Sequence, residues 1–309
     1  MIEIKQLTKC YGNLVALDHL DLTIASGTLF GFIGPNGAGK TTTLRMIAGV
    51  LEPTSGQIYL NGVDITKNVS QSKWSIGYMP DFFGVYEDMQ VWEYLDFFAR
   101  CYRLDATQRQ HIVDELLELV DLGHKRMEWV QSLSRGMRQR LCLAQALVHD
   151  PQILLLDEPA SGLDPRARIE IRELLKELSI MGKTIIISSH ILTELDEMCH
   201  QVGIIEHGQL QYSGTPEGLI NRHLERQLLF RTLANAEQVE SALNMYSGVT
   251  GFHADGKGWH VKLQGDDIAM AGLLTHLIEH KLDIIHFMEK DRNLESIFMQ
   301  VTKGDMARG

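Results

Sequence analysis

The chain has 309 residues, of which 44% are hydrophobic and 22% are charged, and its formal net charge is −11 at pH 7. A chain of this length can bury one large core or two smaller ones. Acidic residues outnumber basic ones 40 to 29, and no basic run stands out. This balance disfavours nonspecific binding to nucleic acid, whose phosphates require a basic surface.

The distribution of apolar residues and cysteines is typical of a cytosolic protein. No apolar run approaches the roughly 18 residues that a membrane-spanning helix requires, so we expect any membrane role to be peripheral. Residues Met1 to Lys5 contain neither the basic region nor the long apolar stretch of a secretory signal. The cysteines are far apart and lack metal-site spacing, so we expect reduced thiols. They are Cys10, Cys101, Cys142 and Cys199.

Residues 1 to about 30 predict short strands joined by turns. Apolar and polar residues alternate at Ile2–Ile4 and again at Leu20–Ile24, as in a half-buried antiparallel sheet. From Leu29 the pattern changes to an apolar strand, a glycine-rich loop and a helix that begins near Thr41. This order of elements is typical of an α/β core.

The glycine-rich loop matches the pattern G-x-x-x-x-G-K-[ST], and it lies between a strand and a helix, as the pattern requires. Glycines allow backbone N–H groups to point at phosphates, and the helix N-terminus adds positive potential. Lys40 would reach the β- and γ-phosphates, and Thr41 would ligate Mg²⁺. The alternative is a chance glycine turn. The segment comprises Gly34, Pro35, Asn36, Gly37, Ala38, Gly39, Lys40, Thr41 and Thr42.

A second strand-and-helix unit follows a segment of different character. Between about 87 and 150, apolar residues recur at helical spacing with few strand signals, which predicts an all-helical insertion. The apolar strand Ile153–Asp157 then precedes a predicted helix at Arg166–Met181 and a predicted strand at Thr184–Ser188.

Two adjacent acids end the strand Ile153–Asp157. Adjacent carboxylates such as Asp157 and Glu158 do not contribute to the packing of an apolar strand. They stand at its carboxyl end, the edge at which α/β sheets bind ligands. Asp157 would hold the Mg²⁺ shell, and Glu158 would orient and deprotonate an attacking water. The alternative is a pair of solvated acids at the start of a loop. His190 ends the next apolar strand, where a structural hydrogen bond is the alternative to a catalytic role.

A second anion nest is predicted at the start of another helix. Ser134, Arg135 and Gly136 place a hydroxyl and free backbone N–H groups where a helix begins, and such a site can bind an anion. A chain that binds one nucleotide does not require two nests.

These motifs occur in the order found in the nucleotide-binding subunits of ATP-binding cassette (ABC) transporters. The phosphate loop, the acid-ended strand, the turn Ser161–Asp164 and the histidine resemble this family over residues 1 to about 220. The resemblance implies a P-loop NTPase core with an antiparallel β subdomain and a helical insertion, spanning residues 1–221. It also implies ATP and Mg²⁺ as cofactors.

The resemblance further implies a dimer that encloses ATP between two copies of the chain. Ser134 and Gly136 of one copy would contact the ATP held by the phosphate loop of the other, which explains the second nest. Asp164 would cross the interface, His190 would contact the γ-phosphate, and Tyr11 would stack on adenine.

Two positions depart from the family pattern. The signature segment usually reads Leu-Ser-Gly-Gly-Gln, whereas Arg135 and Met137 here replace its first glycine and its glutamine. Asp81 stands near the usual position of a glutamine that contacts the metal and the water. A carboxylate could ligate Mg²⁺ but cannot donate a hydrogen bond, and a plain surface acid is the other interpretation of Asp81. In the family, the helical insertion and the loop at Asp81 meet a coupling helix of the membrane subunit, and the apolar segment 82–86 suits such a contact. The alternative is that these segments merely pack.

Residues 222–309 predict a small α+β accessory module with the order βαββαβ, as in ferredoxin-like folds. The tails of exporter-type subunits that are encoded apart from their membrane partner resemble this module. The predicted elements are a strand at Leu228–Phe230, a helix at Ala236–Tyr246, a hairpin near Asp255–Gly258, a helix at Ile268–Lys281, a strand at Ile284–Met288 and a helix at Leu294–Val301.

The leading hypothesis is an ATPase subunit that powers a separate membrane permease, with export as the expected direction. We expect a homodimer, peripheral on the inner face of the cell membrane, with no nucleic-acid partner. One alternative is a soluble cassette ATPase acting on DNA or ribosomes, which usually has two cassettes, coiled-coil insertions or basic patches. Another is a regulatory nucleotide sensor without useful hydrolysis. Selectivity in this family belongs mostly to the membrane subunit, so the cargo is not predicted.

Overall fold

A computed structural model describes residues 1–67, 72–82, 84–190, 195–222 and 225–290. The chain divides into two compact units, Met1–Thr215 and Pro216–Gly309. The helix Pro216–Arg222 includes the boundary predicted after residue 221, and its contacts group it with the second unit. Each unit has its own cluster of buried apolar side chains.

The first unit contains ten strands and five α-helices within the described residues. The strands are β1 Ile2–Tyr11, β2 Leu14–Ile24, β3 Leu29–Ile33, β4 Ser55–Leu60, β5 Val63–Asp64, β6 Ile76–Met79, β7 Ile153–Asp157, β8 Thr184–Ser189, β9 Gln201–Glu206 and β10 Gln209–Gly214. The helices are α1 Lys40–Ile47, α2 Val91–Cys101, α3 Ala106–Leu119, α4 Arg135–Leu147 and α5 Pro165–Ile180.

The N-terminal strands form an antiparallel sheet in the order β2-β1-β4-β5. Strands β1 and β2 are much longer than the short strands predicted. The pairing of β1 with β2 shifts register after Ile4 and again before Lys9, and Gln6 and His19 adopt positive φ angles of 48°. Because such bulges interrupt the alternation of apolar and polar residues, sequence periodicity detects only the regular ends of these strands.

The second sheet of this unit has the order β10-β9-β3-β8-β7-β6. Strand β3 runs parallel to β8 and β9, and β7 runs parallel to β6 and β8, whereas β10 is antiparallel to β9. All residues of β3, β7 and β8 are buried, which accounts for their continuous apolar sequence. Parallel pairing brings the carboxyl ends of β3, β7 and β8 to one edge, where α/β sheets bind ligands.

Helices α2, α3 and α4 lie within the segment 87–150, where the spacing of apolar residues predicts an all-helical insertion. Gln90 with Glu93 and Asp105 with Gln108 form capping boxes at the starts of α2 and α3. Tyr94 is buried, and its ring contacts those of Tyr86 and Phe98 in an aromatic cluster that anchors α2. The predicted α/β core with an antiparallel β subdomain and a helical insertion is therefore confirmed.

The second unit contains a four-stranded antiparallel sheet and three helices within the described residues. Its elements are α6 Pro216–Arg222, β11 Glu225–Thr232, α7 Ala236–Met245, β12 Val249–Asp255, β13 Gly258–Gln264, α8 Asp267–Glu279 and β14 Ile284–Glu289. After α6 the order is strand, helix, strand, strand, helix, strand, and the spatial order is β12-β13-β11-β14. The helix expected at Leu294–Val301 lies outside the described residues.

The hairpin between β12 and β13 forms where the turn residues predict it. Asp255 pairs with Gly258, and the Asp255 Oδ1 accepts hydrogen bonds from the N–H groups of Lys257 at 2.7 Å and Gly258 at 3.1 Å. The core of this unit includes Phe230, whose ring stacks at 6.5 Å on that of Phe287. Among the helices in the described ranges, none has the length and apolarity needed to span a membrane.

Candidate nucleotide-binding site

The phosphate loop connects β3 to α1 through backbone conformations that require glycine. Gly37 and Gly39 have φ angles of 83° and 112°, and Gly39 caps α1. Gly34 is required for a steric reason, because a Cβ there would lie 2.4 Å from the carbonyl oxygen of Ile205. The loop is thus held against β9 and ends at a helix N-terminus, where free N–H groups can bind an anion.

Exposure divides the loop into an accessible tip and a buried base. Residues Pro35–Gly37 are exposed, whereas Ala38–Lys40 are buried and Thr41 and Thr42 are half-buried. A backbone hydrogen bond of 3.2 Å from the N–H of Ala38 to the carbonyl of Pro35 closes the turn. The tip is therefore the part of the loop that an incoming phosphate chain reaches first.

Lys40 is buried and bonds to its own loop. Its Nζ donates to the carbonyl oxygens of Gly34 at 2.6 Å and Pro35 at 3.2 Å. Burial lowers the pKa of this ammonium group, and the negative charges of Glu158 and Asp157 oppose that effect. The amine lies inside the loop that would surround the phosphates, so it can exchange carbonyl partners for phosphate oxygens without leaving the site.

Asp157 lies at the end of β7 and accepts two hydroxyl hydrogen bonds on one oxygen. Thr41 Oγ1 donates to Asp157 Oδ1 at 3.1 Å, and Ser188 Oγ donates to the same atom at 2.6 Å. Asp157 Oδ2 is buried and has no hydrogen-bond partner among the described residues. An unpartnered carboxylate oxygen beside a threonine hydroxyl is a suitable ligand set for Mg²⁺, which prefers one or two carboxylates with water and phosphate oxygens.

Glu158 follows directly and has a positive φ of 52°, a conformation that non-glycine residues rarely adopt. Its N–H donates to Ser188 Oγ at 3.0 Å and to the Ser188 carbonyl at 3.2 Å, which holds this backbone in place. Burial raises the pKa of the Glu158 carboxyl, and His190 and Lys40 act in the opposite direction. A carboxylate with a raised pKa is suited to accept a proton from water.

His190 lies just beyond β8 and faces Glu158. Its Nδ1 is 2.8 Å from Glu158 Oε2, while 53% of its side-chain surface is exposed. The imidazole therefore contacts the Glu158 carboxylate through one nitrogen and remains accessible to a ligand. The structure thus places Lys40, Asp157, Glu158 and His190 at the edge predicted from the ends of β3, β7 and β8.

Sequence reasoning missed Ser188, which organises both acids. The strand register pairs Asp157 with Ser188, so this serine hydroxyl lies beside Asp157 Oδ1 and the N–H of Glu158. The available signal was a pair of polar residues, Ser188 and Ser189, at the end of an apolar strand. Only the register between β7 and β8 shows that Ser188 contacts the acids.

Ser134 and Asp164 occupy equivalent positions at the starts of two helices. Ser134 Oγ accepts from the N–H of Met137 at 3.3 Å, and Asp164 Oδ1 accepts from the N–H of Ala167 at 2.9 Å. Within the part of the chain that the structure describes, the hydrogen bonds of Ser134 stay within its own helix. The structure therefore does not join the second nest to the phosphate loop of the same chain.

Tyr11 and Asp81 are less closely tied to the site. Tyr11 is 48% exposed, and the Lys9 ammonium lies 5.2 Å from the centroid of its ring. Asp81 is exposed and lines a hollow of about 330 Å³ together with Arg135 and Arg138. No hydrogen bond or ion pair within the described ranges connects Asp81 to the threonine and aspartate of the proposed metal site.

This geometry defines the class of the protein. A glycine loop surrounds a buried lysine between a parallel strand and a helix, and a threonine and an unpaired aspartate oxygen lie beside a strained, hydrogen-bonded glutamate. These are the parts with which a P-loop NTPase binds and hydrolyses a nucleoside triphosphate.

Comparisons with known proteins identify the family within that class. The pattern of the family described as ABC transporter matches residues 17–161. The chain is 33% identical over 304 residues to the Nod factor export ATP-binding protein I of Rhizobium meliloti, covering 97% of this chain and 88% of the relative. It is 34% identical over 306 residues to the protein of the same name from Cupriavidus metallidurans, covering 99% and 98%.

Solved structures of ATP-binding cassettes share the fold. One is a dimeric cassette in a post-hydrolysis state bound to ADP and phosphate, with a TM-score of 0.64, 25% identity, and coverage of 70% of this chain and 98% of that chain. Another is cbiO1 from Clostridium perfringens, part of an ABC transporter complex, with a TM-score of 0.66, 29% identity, and coverage of 71% and 90%. The chain belongs to the ABC transporter family as an ATP-binding, ATP-hydrolysing subunit of the exporter type.

Proposed function

We propose that this subunit closes with a second copy around two ATP molecules and thereby drives export through a separate membrane permease, at the inner face of the cell membrane. Supporting the direction of transport, the relatives from Rhizobium meliloti and Cupriavidus metallidurans are both export ATP-binding proteins. Supporting the dimer, a structural neighbour is a dimeric cassette. The second compact unit would be an accessory module to this ATPase.

The observation that carries the proposal is the cluster formed by Thr41, Asp157, Glu158 and His190. In the proposed mechanism the loop N–H groups bind the β- and γ-phosphates, and Lys40 exchanges its carbonyl partners for phosphate oxygens. Thr41 and Asp157 would hold Mg²⁺, which neutralises charge on the phosphates when bound.

Glu158 and His190 supply the remaining steps. Glu158 orients a water and takes its proton, helped by the raised pKa of its half-buried carboxyl. His190 keeps one nitrogen on Glu158 and directs its exposed part toward the γ-phosphate. The two acids are thus assigned different tasks by their surroundings: Asp157 has a free oxygen for the metal, and Glu158 has a histidine partner for proton transfer.

The second nucleotide contact comes from the partner copy in this proposal. Ser134 and Gly136 lie at the N-terminus of α4 and make no bond to the phosphate loop of their own chain within the described residues. In the dimer they would bind the γ-phosphate held by the partner, and Asp164 would lie across the interface. Tyr11, half exposed, is the candidate for stacking on adenine.

Replacing Glu158 tests this proposal. Glu158→Gln keeps the size of the side chain but removes the base, so we expect hydrolysis to fall by roughly 10²- to 10⁴-fold while ATP binding persists. The trapped ATP should also stabilise the dimer, visible by sizing chromatography in the presence of Mg²⁺ and ATP. Glu115→Gln, at an exposed glutamate on α3, is the matched control and should hydrolyse ATP normally.

Two further outcomes would contradict the proposal. A Glu158→Gln chain that remains monomeric with ATP and Mg²⁺ would contradict the dimer. Phosphate release that persists in Lys40→Ala, or that is unchanged when EDTA removes Mg²⁺, would contradict the assigned nucleotide and metal site.

A further inference from the structure

Arg135, the first residue of α4, reaches across to the loop that follows Glu158. Its Nη2 donates to the carbonyl oxygen of Ser161 at 3.2 Å. A Cβ on Gly162 would lie 2.5, 2.6 and 2.7 Å from the Cζ, Nη1 and Nη2 atoms of Arg135. Three atoms of the guanidinium group are almost equally close to that position, so the group lies over Gly162, and a Cβ there would displace the end of the Arg135 side chain.

The start of α4 lies close to the same loop at two further points. Gly136 faces Leu163, whose side chain would be 3.4 Å from a Cβ added there, and Gln139 Nε2 donates to the carbonyl oxygen of Glu158 at 3.5 Å. The loop also bonds to itself, because the N–H of Ser161 donates to the Glu158 carbonyl at 3.0 Å. The first five residues of α4 therefore lie along this loop, with bonds from Gln139 to Glu158 at its beginning and from Arg135 to Ser161 in its middle.

The ends of this loop have different proposed tasks. Glu158 begins the loop and would activate the water for the ATP held by its own chain, whereas Asp164 ends it and would lie at the dimer interface. Ser134, which would contact the partner's ATP, is adjacent to Arg135. Arg135 is exposed, but its planar guanidinium packs on Gly162 and bonds to the Ser161 carbonyl, so a shift at the start of α4 changes both contacts with the loop.

We propose that Arg135 is a positioning residue that couples the Ser134 segment to Glu158 of the same chain. This inference rests on the proposed function, because it requires that Ser134 contacts the ATP of the partner. Binding of that ATP fixes the first turn of α4, and Arg135 then fixes the loop that begins at Glu158. Each chain hydrolyses its own ATP when the partner's ATP is in place. The glycine of the usual family pattern at this position has no side chain to make the contact.

Steady-state hydrolysis by the full chain with Mg²⁺, measured across ATP concentrations, tests the inference. Arg135→Ala should lower kcat by roughly 10- to 100-fold, because a small misplacement of a catalytic group has effects of this size. The KM for ATP should stay within about two-fold, and the Hill coefficient should fall to about 1. Arg135→Lys should behave like Arg135→Ala, because lysine keeps the charge but lacks the planar group.

Arg166→Ala is the matched control, because Arg166 is 90% exposed on helix α5. This substitution should leave kcat, KM and the Hill coefficient unchanged. Gly162→Ala provides a second test, because its methyl group would displace the guanidinium. Its effect on kcat should be smaller in the Arg135→Ala chain than in the wild-type chain, as expected for residues that act through one contact.

Several results would overturn the inference. A raised KM with unchanged kcat would assign Arg135 to nucleotide binding, and full activity in Arg135→Lys would assign its role to charge alone. Independent effects of the Gly162 and Arg135 substitutions would also refute the coupling. The dimer assay with Glu158→Gln separates this inference from the proposed function: failure of that chain to dimerise contradicts the dimer, whereas normal dimerisation with unchanged kinetics in Arg135→Ala contradicts only the coupling.

Discussion

Glu158 shows how the surroundings of one residue prepare it for catalysis. Its left-handed backbone is held by two hydrogen bonds to Ser188, and its half-buried carboxylate lies next to His190. Burial favours the protonated carboxyl, whereas the histidine and Lys40 favour the carboxylate. The balance raises the pKa, so this residue changes protonation above the ordinary glutamate value of 4.5.

The pH dependence of hydrolysis follows from that balance. A base must be deprotonated, so kcat should fall as pH drops through the raised pKa of Glu158, with the midpoint above 4.5. His190→Ala removes a group that lowers this pKa, so the acidic limb should move to higher pH even after each profile is scaled to its own maximum. Measurements of kcat with saturating ATP and Mg²⁺ from about pH 5 to about pH 9 provide the test.

His111→Ala is the control for the pH profile, because His111 is 76% exposed on α3 and lies outside the site. An acidic limb that stays in place in His190→Ala, or moves to lower pH, would contradict the assignment.

The raised pKa of Glu158 also affects the stability of the fold. Its pH dependence is opposite to that of an acid in an ion pair, whose pKa is lower in the folded state than in the unfolded state. Because the folded protein holds the Glu158 proton more tightly than the unfolded chain, this group's stabilising contribution is present below 4.5 and is lost as pH rises through the folded pKa.

At the residue scale, most of the site could be predicted from the sequence. Lys40, Thr41, Asp157 and Glu158 are recognisable because local spacing fixes where each lies relative to its strand or helix. The contact of Arg135 with Gly162 was not predicted, because it depends on how α4 packs against a loop 26 residues further along the chain.

Helix starts in this protein combine structural and proposed functional roles. Asp164 caps α5 by accepting a hydrogen bond from the N–H of Ala167, with Pro165 at the first helical position. The same side chain is proposed to lie at the dimer interface. Stability and hydrolysis must therefore be measured separately for this residue.

Substitutions at Asp164 separate the two roles. Asp164→Ala removes the cap and should lower the free energy of unfolding by about 1 kcal/mol, whereas Asp164→Asn keeps a capping oxygen and should leave it nearly unchanged. Asp164→Asn should nevertheless lower ATP hydrolysis if the carboxylate acts at the interface. Urea unfolding and phosphate release are the two measurements.

Asp105→Ala is the matched control, because Asp105 caps α3 through an equivalent bond of 2.9 Å to the N–H of Gln108. Asp105→Ala should lower the free energy of unfolding by a similar amount and leave ATP hydrolysis unchanged. Full hydrolysis by Asp164→Asn would show that Asp164 acts only as a helix cap.

At the element scale, local pattern predicted the buried strands and the amphipathic helices closely. The strand Ile153–Asp157 has the predicted bounds, and the helix predicted at Arg166–Met181 runs from Pro165 to Ile180. The long N-terminal strands were only partly predicted, because bulges near Gln6 and His19 break their alternation. A bulge depends on pairing with the neighbouring strand, which periodicity along one segment does not reveal.

At the scale of the whole molecule, the two compact units have separate cores. Ligands that bind the folded state stabilise the unit that holds them. The residues of the proposed nucleotide site lie within Met1–Thr215, whereas Phe230 is buried in the core of the second unit. The two units should therefore respond to different perturbations.

Calorimetry of a Phe230→Ala chain tests this independence. Removal of a buried phenylalanine costs about 3–5 kcal/mol, so the transition of the second unit should move to lower temperature. ADP with Mg²⁺ should still raise the transition of the first unit by the same amount as in the wild-type chain. Leu233→Ala, at a side chain that is 74% exposed, should change neither transition. A single thermal transition whose midpoint changes with both the Phe230→Ala substitution and the addition of ADP would contradict the prediction.

The sequence by itself determined the chemistry of this protein, because the phosphate loop is continuous and the segment Gly34–Thr41 contains its glycines, lysine and threonine at fixed spacing. Tertiary structure decided how the acids are held. Thr41 bonds to Asp157 although the two residues are 116 positions apart. The register of β7 and β8 places Ser188 beside both Asp157 and Glu158. It also decided that Arg135 lies on Gly162. Contacts of this kind depend on the packing of distant segments, which no local pattern encodes.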